Sequence, residues 1–166
     1  MSRVAAFTGH RPNKLNGYNP KDNIKLLWKL ADVVEDLIVN QGYTAFITGM
    51  ALGIDTWAAK IVLKLQEKYP HIQLICAIPC ANHSGKWREG DKKIWQEIVD
   101  RAEDVVYVST EEYTPYCMQA RNVFMVDHCS LLVGVWDGTA GGTGNCVDYA
   151  VKKKTPTLII NPNDFK

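Results

Sequence analysis

The chain has 166 residues, of which 46% are hydrophobic and 22% are charged. This length suits one domain that buries about 70% of the surface of its unfolded chain, and the composition excludes a disordered or fibrous protein. With 19 basic and 18 acidic side chains, the net charge is +1. Because the chain has no excess of cations to neutralise many phosphates, nucleic acid is not the expected partner.

The chain contains 5 cysteines, with no CxxC pair. An odd number in this arrangement predicts neither a disulfide framework nor a zinc site. The first residues run directly into a strand-like segment, and no apolar stretch approaches the roughly 18 residues that cross a bilayer. We therefore expect a cytoplasmic chain with no membrane segment, no metal ion and no bound cofactor.

Short runs rich in Val, Ile and Leu alternate with longer segments of helical period, the pattern of a parallel sheet built from βαβ units. Strands are predicted at 4–7, 45–48, 72–78, 105–108, 131–136 and 157–160. Helices are predicted at 20–40, 53–68, 87–101 and 118–128, with a fifth from the glycine cluster to Lys154. Since no linker or repeat interrupts this pattern, residues 1–166 are predicted to form one Rossmann-like three-layer α/β domain. Its mainly parallel sheet has about six strands flanked by helices.

Thr8, Gly9, His10 and Arg11 follow the first predicted strand. Ligands of such sheets bind at the carboxyl ends of the strands, so a hydroxyl, a free backbone and a cation are expected to meet there. Arg11 is suited to holding a phosphate or carboxylate with two hydrogen bonds. His10 is a candidate proton donor, because histidine is the side chain best suited to proton transfer near neutral pH. The alternative is a solvated loop.

Gly49 and Gly53 flank the start of the second predicted helix, where unpaired N–H groups face the crevice. Asp55 lies in the first turn of this helix. It is either a ligand for ribose hydroxyls or a carboxylate favoured there by the helix dipole alone. Trp57 is interpreted as a core residue rather than as a platform for a base.

Two other pairs of reactive residue types are interpreted as structural. Cys80 and His83 lie in the loop 79–87, a candidate lid, and no third group orients them as nucleophile and base. The adjacent Glu111 and Glu112 cannot both point at one substrate atom, so solvated charge is favoured over a glycosidase pair.

A glycine-rich loop follows the fifth predicted strand and Asp137. Four of the seven residues 138–144 are glycine, which lets the backbone approach an anion closely. Unpaired N–H groups at the following helix start point at such an anion, and the helix dipole adds about 0.3–1 kcal/mol per charge. A flexible turn is the alternative. The predicted ligand contacts in and beside this loop are Asp137, Gly141, Gly142, Thr143, Gly144 and Asn145.

Two segments resemble the paired signature of the LOG-type phosphoribohydrolases. MQARNVFM (118–125) is similar to the MxxRKxxM pattern of that family, and AGGTGNCVD (140–148) is similar to PGGxGTxxE. The resemblance implies that Arg121 and Asp148 are the catalytic pair and that Asn122 contacts the ligand. Asn122 stands where that family has lysine, and Asp148 is one methylene shorter than the family's glutamate.

A third segment, TGMALGIDTWAA (48–59), is similar to the SGxAxGIDxxAH segment of the DNA-processing protein A family, which shares the SLOG fold with LOG proteins. Together with TGHRP at 8–12, Trp87 and residues 113–115, it makes the chain most similar to the YpsA-like branch of the SLOG superfamily. The resemblance covers nearly the whole chain and implies a pocket at the carboxyl ends of the strands.

These features lead to three functional hypotheses. The first is binding of a nucleotide or nucleotide-derived small molecule, such as a ribosyl phosphate or an ADP-ribose-like compound, by a sensor, carrier or sequestering protein. The alternative is a LOG-like hydrolase, in which Arg121 orients the ribose phosphate and Asp148 assists cleavage of an N-glycosidic bond. Binding of single-stranded DNA ranks third. A homo-oligomer stays open because related folds often dimerise.

Overall fold

The computed structural model describes residues 3–166, in which a single sheet of six strands carries helices on both faces. The strands are β1 (Arg3–Gly9), β2 (Tyr43–Thr48), β3 (Gln73–Ile78), β4 (Asp104–Tyr107), β5 (Leu131–Val135) and β6 (Thr157–Ile160). The helices are α1 (Ile24–Val39), α2 (Ile54–Gln66), α3 (Glu89–Arg101), α4 (Cys117–Asp127) and α5 (Gly142–Lys152). All neighbouring strands are parallel, so the predicted Rossmann-like architecture is confirmed.

The strand order across the sheet is β4-β3-β2-β1-β5-β6. The chain moves outward from β1 to β4, crosses back, and then moves outward on the other side from β5 to β6. The order therefore reverses between β1 and β5. Loops that leave two such strands diverge and open a crevice at the carboxyl edge of the sheet.

The two faces of the sheet are covered by different helices. Phe7 and Phe46, whose rings stack with centroids 5.9 Å apart, belong to the larger core beneath α1, α2 and α3. Ala6 and Ile47 point the other way, into a smaller core with α4 and α5. Because both faces are covered, all residues of β5 are buried, which explains its continuous apolar sequence.

Local chemistry shifts some helix ends from their predicted positions. The predicted helix 20–40 begins with a short 3₁₀ turn, Pro20–Asn23, before α1. The side chain of Asn19 accepts a hydrogen bond from the Lys21 N–H at 3.0 Å and caps this turn. Trp87 precedes α3, whereas Trp95 lies within it and is buried.

Trp57 is buried in the larger core, as predicted. In residues 3–166, no helix combines the length and the apolar character needed to cross a membrane.

Candidate functional site

The loops after β1 and β5 enclose a cleft of about 250 Å³ at the point where the strand order reverses. We call it the anion cleft, and its lining residues are His10, Arg11, Asn13, Lys14, Gly141, Gly142 and Thr143. Arg11 is exposed and Lys14 is half-buried. The first N–H groups of α5 have no acceptor within the helix. Two cations and a helix N-terminus therefore meet in one cleft.

Thr139 anchors the glycine-rich loop that forms one wall of the anion cleft. Its backbone N–H and its hydroxyl both donate to Oδ1 of Asp137, at 3.0 and 2.5 Å. Its carbonyl oxygen accepts from Nε1 of Trp136 at 2.8 Å. Lys14 closes the network from the opposite wall, since its Nζ donates to Thr139 Oγ1 and to the Ala140 carbonyl, both at 3.1 Å.

His10 and Asp137 form a pair at the base of the anion cleft. His10 Nε2 lies 2.8 Å from Asp137 Oδ1, and only 3% of the His10 surface is exposed. The His10 N–H donates to the Val135 carbonyl at 3.2 Å, and its own carbonyl accepts from the Ile54 N–H at 3.3 Å. Hydrogen bonds from Thr139, with a smaller effect of His10, hold the pKa of Asp137 well below its usual range. The carboxylate of this pair is therefore ionised.

Arg121 lies behind the crevice, in the first half of α4, and is 5% exposed. Its Nη1 donates to the Gly49 carbonyl, its Nε donates to Asn122 Oδ1 at 3.1 Å, and Nη1 is 4.0 Å from Asp55 Oδ2. Burial raises the pKa of Asp55 and lowers the pKa of Arg121, while the attraction between the two charges opposes both shifts. Protein atoms thus engage the guanidinium, and Arg121 is not part of the lining of the anion cleft.

The turn between β2 and α2 is built around this buried arginine. A Cβ at Gly49 would overlap the Arg121 guanidinium. The next residue, Met50, is buried with a φ of 62°, a left-handed conformation that costs free energy for a side chain with a Cβ. Gly53 has a φ of 89°, and a Cβ there would lie 2.6 Å from the His10 carbonyl oxygen. Close packing therefore links this turn to the base of the anion cleft.

Not all predicted contacts reach the anion cleft. His10, Arg11, Gly141, Gly142 and Thr143 do so.

Thr8 and Gly9 belong to β1 itself rather than to the loop after it. Thr8 is buried, and a Cβ at Gly9 would overlap the side chain of Ile54. The expectation that a free loop carries these two residues is therefore wrong, because β1 extends to Gly9, where it packs against the first residue of α2. Asp55 is also buried; its Oδ2 accepts from the Ala51 N–H at 3.3 Å.

The predicted contacts around α5 divide between three environments. Gly144 is buried against the ring of Trp136. Asn122 supports the start of α5 from behind, because its Nδ2 donates to the Gly142 carbonyl at 3.3 Å. Asn145 and Asp148 are exposed and line a separate cleft of about 290 Å³, together with Gln119, Tyr149 and Lys152. In residues 3–166 no ion pair joins Asp148 to Arg121.

The loop after β3 contains no activated nucleophile. Burial raises the pKa of Cys80 to about 11 and lowers the pKa of His83 to about 3, so both are neutral near pH 7. The His83 ring packs edge-on against Trp87 and Trp95, with centroids 5.1 and 6.4 Å apart. Glu111 and Glu112 are exposed, as expected for solvated charge.

The residues that sequence reasoning missed are Asn13, Lys14 and Thr139. Lys14 is the last residue of a 3₁₀ turn, Pro12–Lys14, that folds the chain back over the cleft. A lysine three residues after Arg11 was the available signal, because one such turn returns its side chain to the same side.

Residues 5–162 match the YpsA family model, which is described as the YspA SLOG family. The prophage-derived protein YoqJ of Bacillus subtilis is 40% identical over 141 residues, which cover 78% of this chain and 82% of YoqJ. A UPF0398 protein of Bacillus thuringiensis is 25% identical over 154 residues, which cover 92% of this chain and 84% of the relative.

Among solved structures, DNA processing protein A from Streptococcus pneumoniae is similar with a TM-score of 0.68 and 17% identity, over 96% of this chain and 50% of that protein. The same protein from Helicobacter pylori gives a TM-score of 0.65 and 18% identity, over 96% of this chain and 65% of that protein. It is described as having a unique mode of binding single-stranded DNA. At these identities the likeness shows a common fold, and the chain spans only part of both proteins.

Proposed function

This chain belongs to the YspA SLOG family, and from that premise we propose that it binds a nucleotide or nucleotide-derived small molecule. The ligand's phosphate occupies the anion cleft, and the protein serves as a sensor, carrier or sequestering protein. The observation that carries this proposal is the convergence of Arg11, Lys14 and the start of α5 on one cleft. Cationic side chains and helix N–H groups are the donors that proteins use to hold phosphate.

The size of the cleft limits what it holds. Pockets that enclose a whole small ligand measure about 300–1,000 Å³, and the anion cleft measures about 250 Å³. It therefore fits a phosphate with its adjoining ribose, while the base extends along the carboxyl edge of the sheet. Ribosyl phosphates and ADP-ribose-like molecules share this phosphate-plus-ribose chemistry.

Calorimetric titration with AMP, ADP-ribose, adenosine and inorganic phosphate tests the proposal. AMP and ADP-ribose are expected to bind more tightly than adenosine, because only they carry the phosphate that the cations hold. A ligand at 100 times its Kd should stabilise the fold by about 2.7 kcal/mol, which thermal unfolding detects. No heat and no stabilisation with any of the four compounds would contradict the proposal.

The alternative is a LOG-like phosphoribohydrolase. The resemblance of 118–125 and 140–148 to that family supports it, and the separation of Arg121 from Asp148 counts against it. The test is release of free base from AMP, from cytokinin-type nucleotides or from NAD derivatives. Turnover by the wild type that disappears in Asp148→Ala supports the alternative, and turnover unchanged in Asp148→Ala removes Asp148 from the mechanism.

Binding of single-stranded DNA is the third candidate. The Helicobacter pylori neighbour does not fit our expectation that nucleic acid is not a partner. In this chain Tyr113 and Tyr116 lie 59% and 80% exposed in the loop after β4, and exposed aromatic rings are platforms on which bases stack. Filter binding of an oligothymidine at low salt is the test. Tight, salt-sensitive retention that falls in Tyr113→Ala and Tyr116→Ala would raise this candidate above nucleotide binding.

A further inference from the structure

We propose that His10 is a phosphoryl acceptor, a nucleophile that attacks the phosphate of an ester or anhydride held in the anion cleft, with Asp137 as its positioning residue. This inference rests on the proposed function, because the anion cleft must first hold the phosphate. It adds a chemical step to binding, and it places that step away from Arg121 and Asp148.

The proton on the His10 ring is assigned by its neighbours. Asp137 is an ionised acceptor whose Oδ1 lies 2.8 Å from His10 Nε2. Two lone pairs would repel at this distance, so Nε2 carries the proton and donates to the carboxylate. The Asp137 backbone N–H is also directed at Nε2 as a donor, at 3.1 Å, and this contact favours the other tautomer. The contact with the carboxylate is shorter and charge-assisted, so it determines the tautomer.

This tautomer leaves a lone pair on Nδ1 of His10. Among residues 3–166 Nδ1 has no hydrogen-bond partner, and it is not among the nitrogens sealed from solvent. His10 lines the anion cleft together with Arg11 and Lys14. The proposal places this nitrogen against the phosphorus that the two cations would hold.

The step balances without another reactant. The Nδ1 lone pair forms the bond to phosphorus while the bond to the leaving oxygen breaks, and that oxygen keeps the electron pair. A phosphate leaving group departs unprotonated, whereas an alkoxide takes a proton from water. The phosphorylated ring is cationic because Nε2 keeps its proton, and the Asp137 carboxylate offsets this charge. Water then attacks phosphorus, its proton passes to solvent, and the electron pair of the N–P bond returns to Nδ1.

The other histidines of the chain provide internal controls. His71 and His128 are exposed, and neither forms an ion pair with a carboxylate among the residues described. His128 Nδ1 is 2.7 Å from the Phe124 carbonyl, and His83 is buried between two tryptophans. Accessibility alone would make His71 and His128 the most reactive, whereas the proposed mechanism makes His10 the most reactive.

Incubation of the whole chain with potassium phosphoramidate, a small activated phosphoryl donor, tests the inference. Digestion without acid preserves the N–P bond, and tandem mass spectrometry locates the phosphoryl group. We expect His10 to be labelled before His71 and His128, and we expect AMP to slow its labelling. Absence of label on His10, or equal or faster labelling of His71 or His128, would overturn the inference.

Two variants separate nucleophile from positioning residue. His10→Gln can still donate to Asp137 and should lose the label, whereas His71→Gln should keep labelling at His10. Asp137→Asn should slow labelling about tenfold, equivalent to about 1.4 kcal/mol in the barrier, and an unchanged rate would remove Asp137 from the step. Thermal melting checks the fold of each variant, and the mapping on the wild type stands if a variant does not fold.

Calorimetry on the same preparation distinguishes the two proposals. Binding of AMP without label on His10 overturns the phosphoryl step and leaves the proposed function standing. Label on His10 without binding of AMP contradicts nucleotide binding and supports the acceptor.

Discussion

The anion cleft and the Arg121 cluster contain the same residue types in opposite settings. Each has a cation, a carboxylate and glycines at the carboxyl edge of the sheet. Around Arg121 the charges are sealed and bonded to protein groups, Gly49 and Asp55. In the anion cleft Arg11 is exposed and Lys14 spans the mouth. Burial, rather than residue type, therefore decides whether a charged group holds a ligand or supports the backbone.

Arg121→Met should have the largest effect on stability. It leaves Asp55 buried without its positive partner, and breaking a buried pair in this way costs about 3–5 kcal/mol. Urea unfolding measures the loss. The matched control is Arg101→Met on the exposed end of α3, where a surface change should stay within about 0.5 kcal/mol. Equal stabilities for the two variants would show that Arg121 is not structural.

Gly49→Ala tests the same cluster from the other side. The added Cβ would overlap the Arg121 guanidinium, and such overpacking costs about 1–3 kcal/mol. Gly90→Ala is the control, because a Cβ there meets nothing within 4 Å. It lies in α3, where alanine should stabilise the helix by up to about 1 kcal/mol. Changes of the same sign in the free energy of unfolding of the two variants would contradict the described packing.

Arg11→Ala and Lys14→Ala should weaken AMP binding without unfolding the protein. Loss of a hydrogen bond to a charged group costs about 1.5–3 kcal/mol, at least tenfold in affinity. Lys152→Ala, in the cleft with Asp148, is the matched control and should keep wild-type affinity. If Lys152→Ala alone reduced affinity, the phosphate would lie in that other cleft.

The smallest expected effect is a dependence of stability on pH through Asp137. Its pKa is lowered in the folded chain, chiefly by Thr139. The stabilisation is therefore present above the unfolded pKa near 3.9 and is lost as pH falls through the folded value. At neutral pH the wild type should melt at a higher temperature than Asp137→Asn, and this difference in melting temperature should shrink below about pH 4. A difference in melting temperature that grows as the pH falls would mean that folding raises the pKa of Asp137 rather than lowering it.

Most of the fold could be predicted because its signals are local. The apolar runs of β1 to β6 and the helical spacing of α1 to α5 depend only on which faces are covered. The extra turn before α1 was harder to predict, because Asn19 and Pro20 are compatible with either kind of helix. The end of β1 also depends on a distant contact, the packing of Gly9 against Ile54.

The site was only partly predictable, because a motif specifies residue types but not which of their side chains are buried. The position of Arg121 matches a family pattern, but its register on α4 turns the guanidinium inward to Gly49. Asp148 lies five residues beyond Thr143 on α5 and lines a different cleft. His10 and Asp137 were each predicted, and their pairing across 127 positions appears only in the folded chain.

The most direct test of the proposed phosphate site is a crystal structure of the chain with AMP. We expect the phosphate within hydrogen-bond distance of Arg11, Lys14 and the backbone N–H groups at the start of α5, with His10 Nδ1 facing the phosphorus. A phosphate bound against Arg121, or in the cleft of Gln119 and Asp148, would contradict the assignment of the anion cleft.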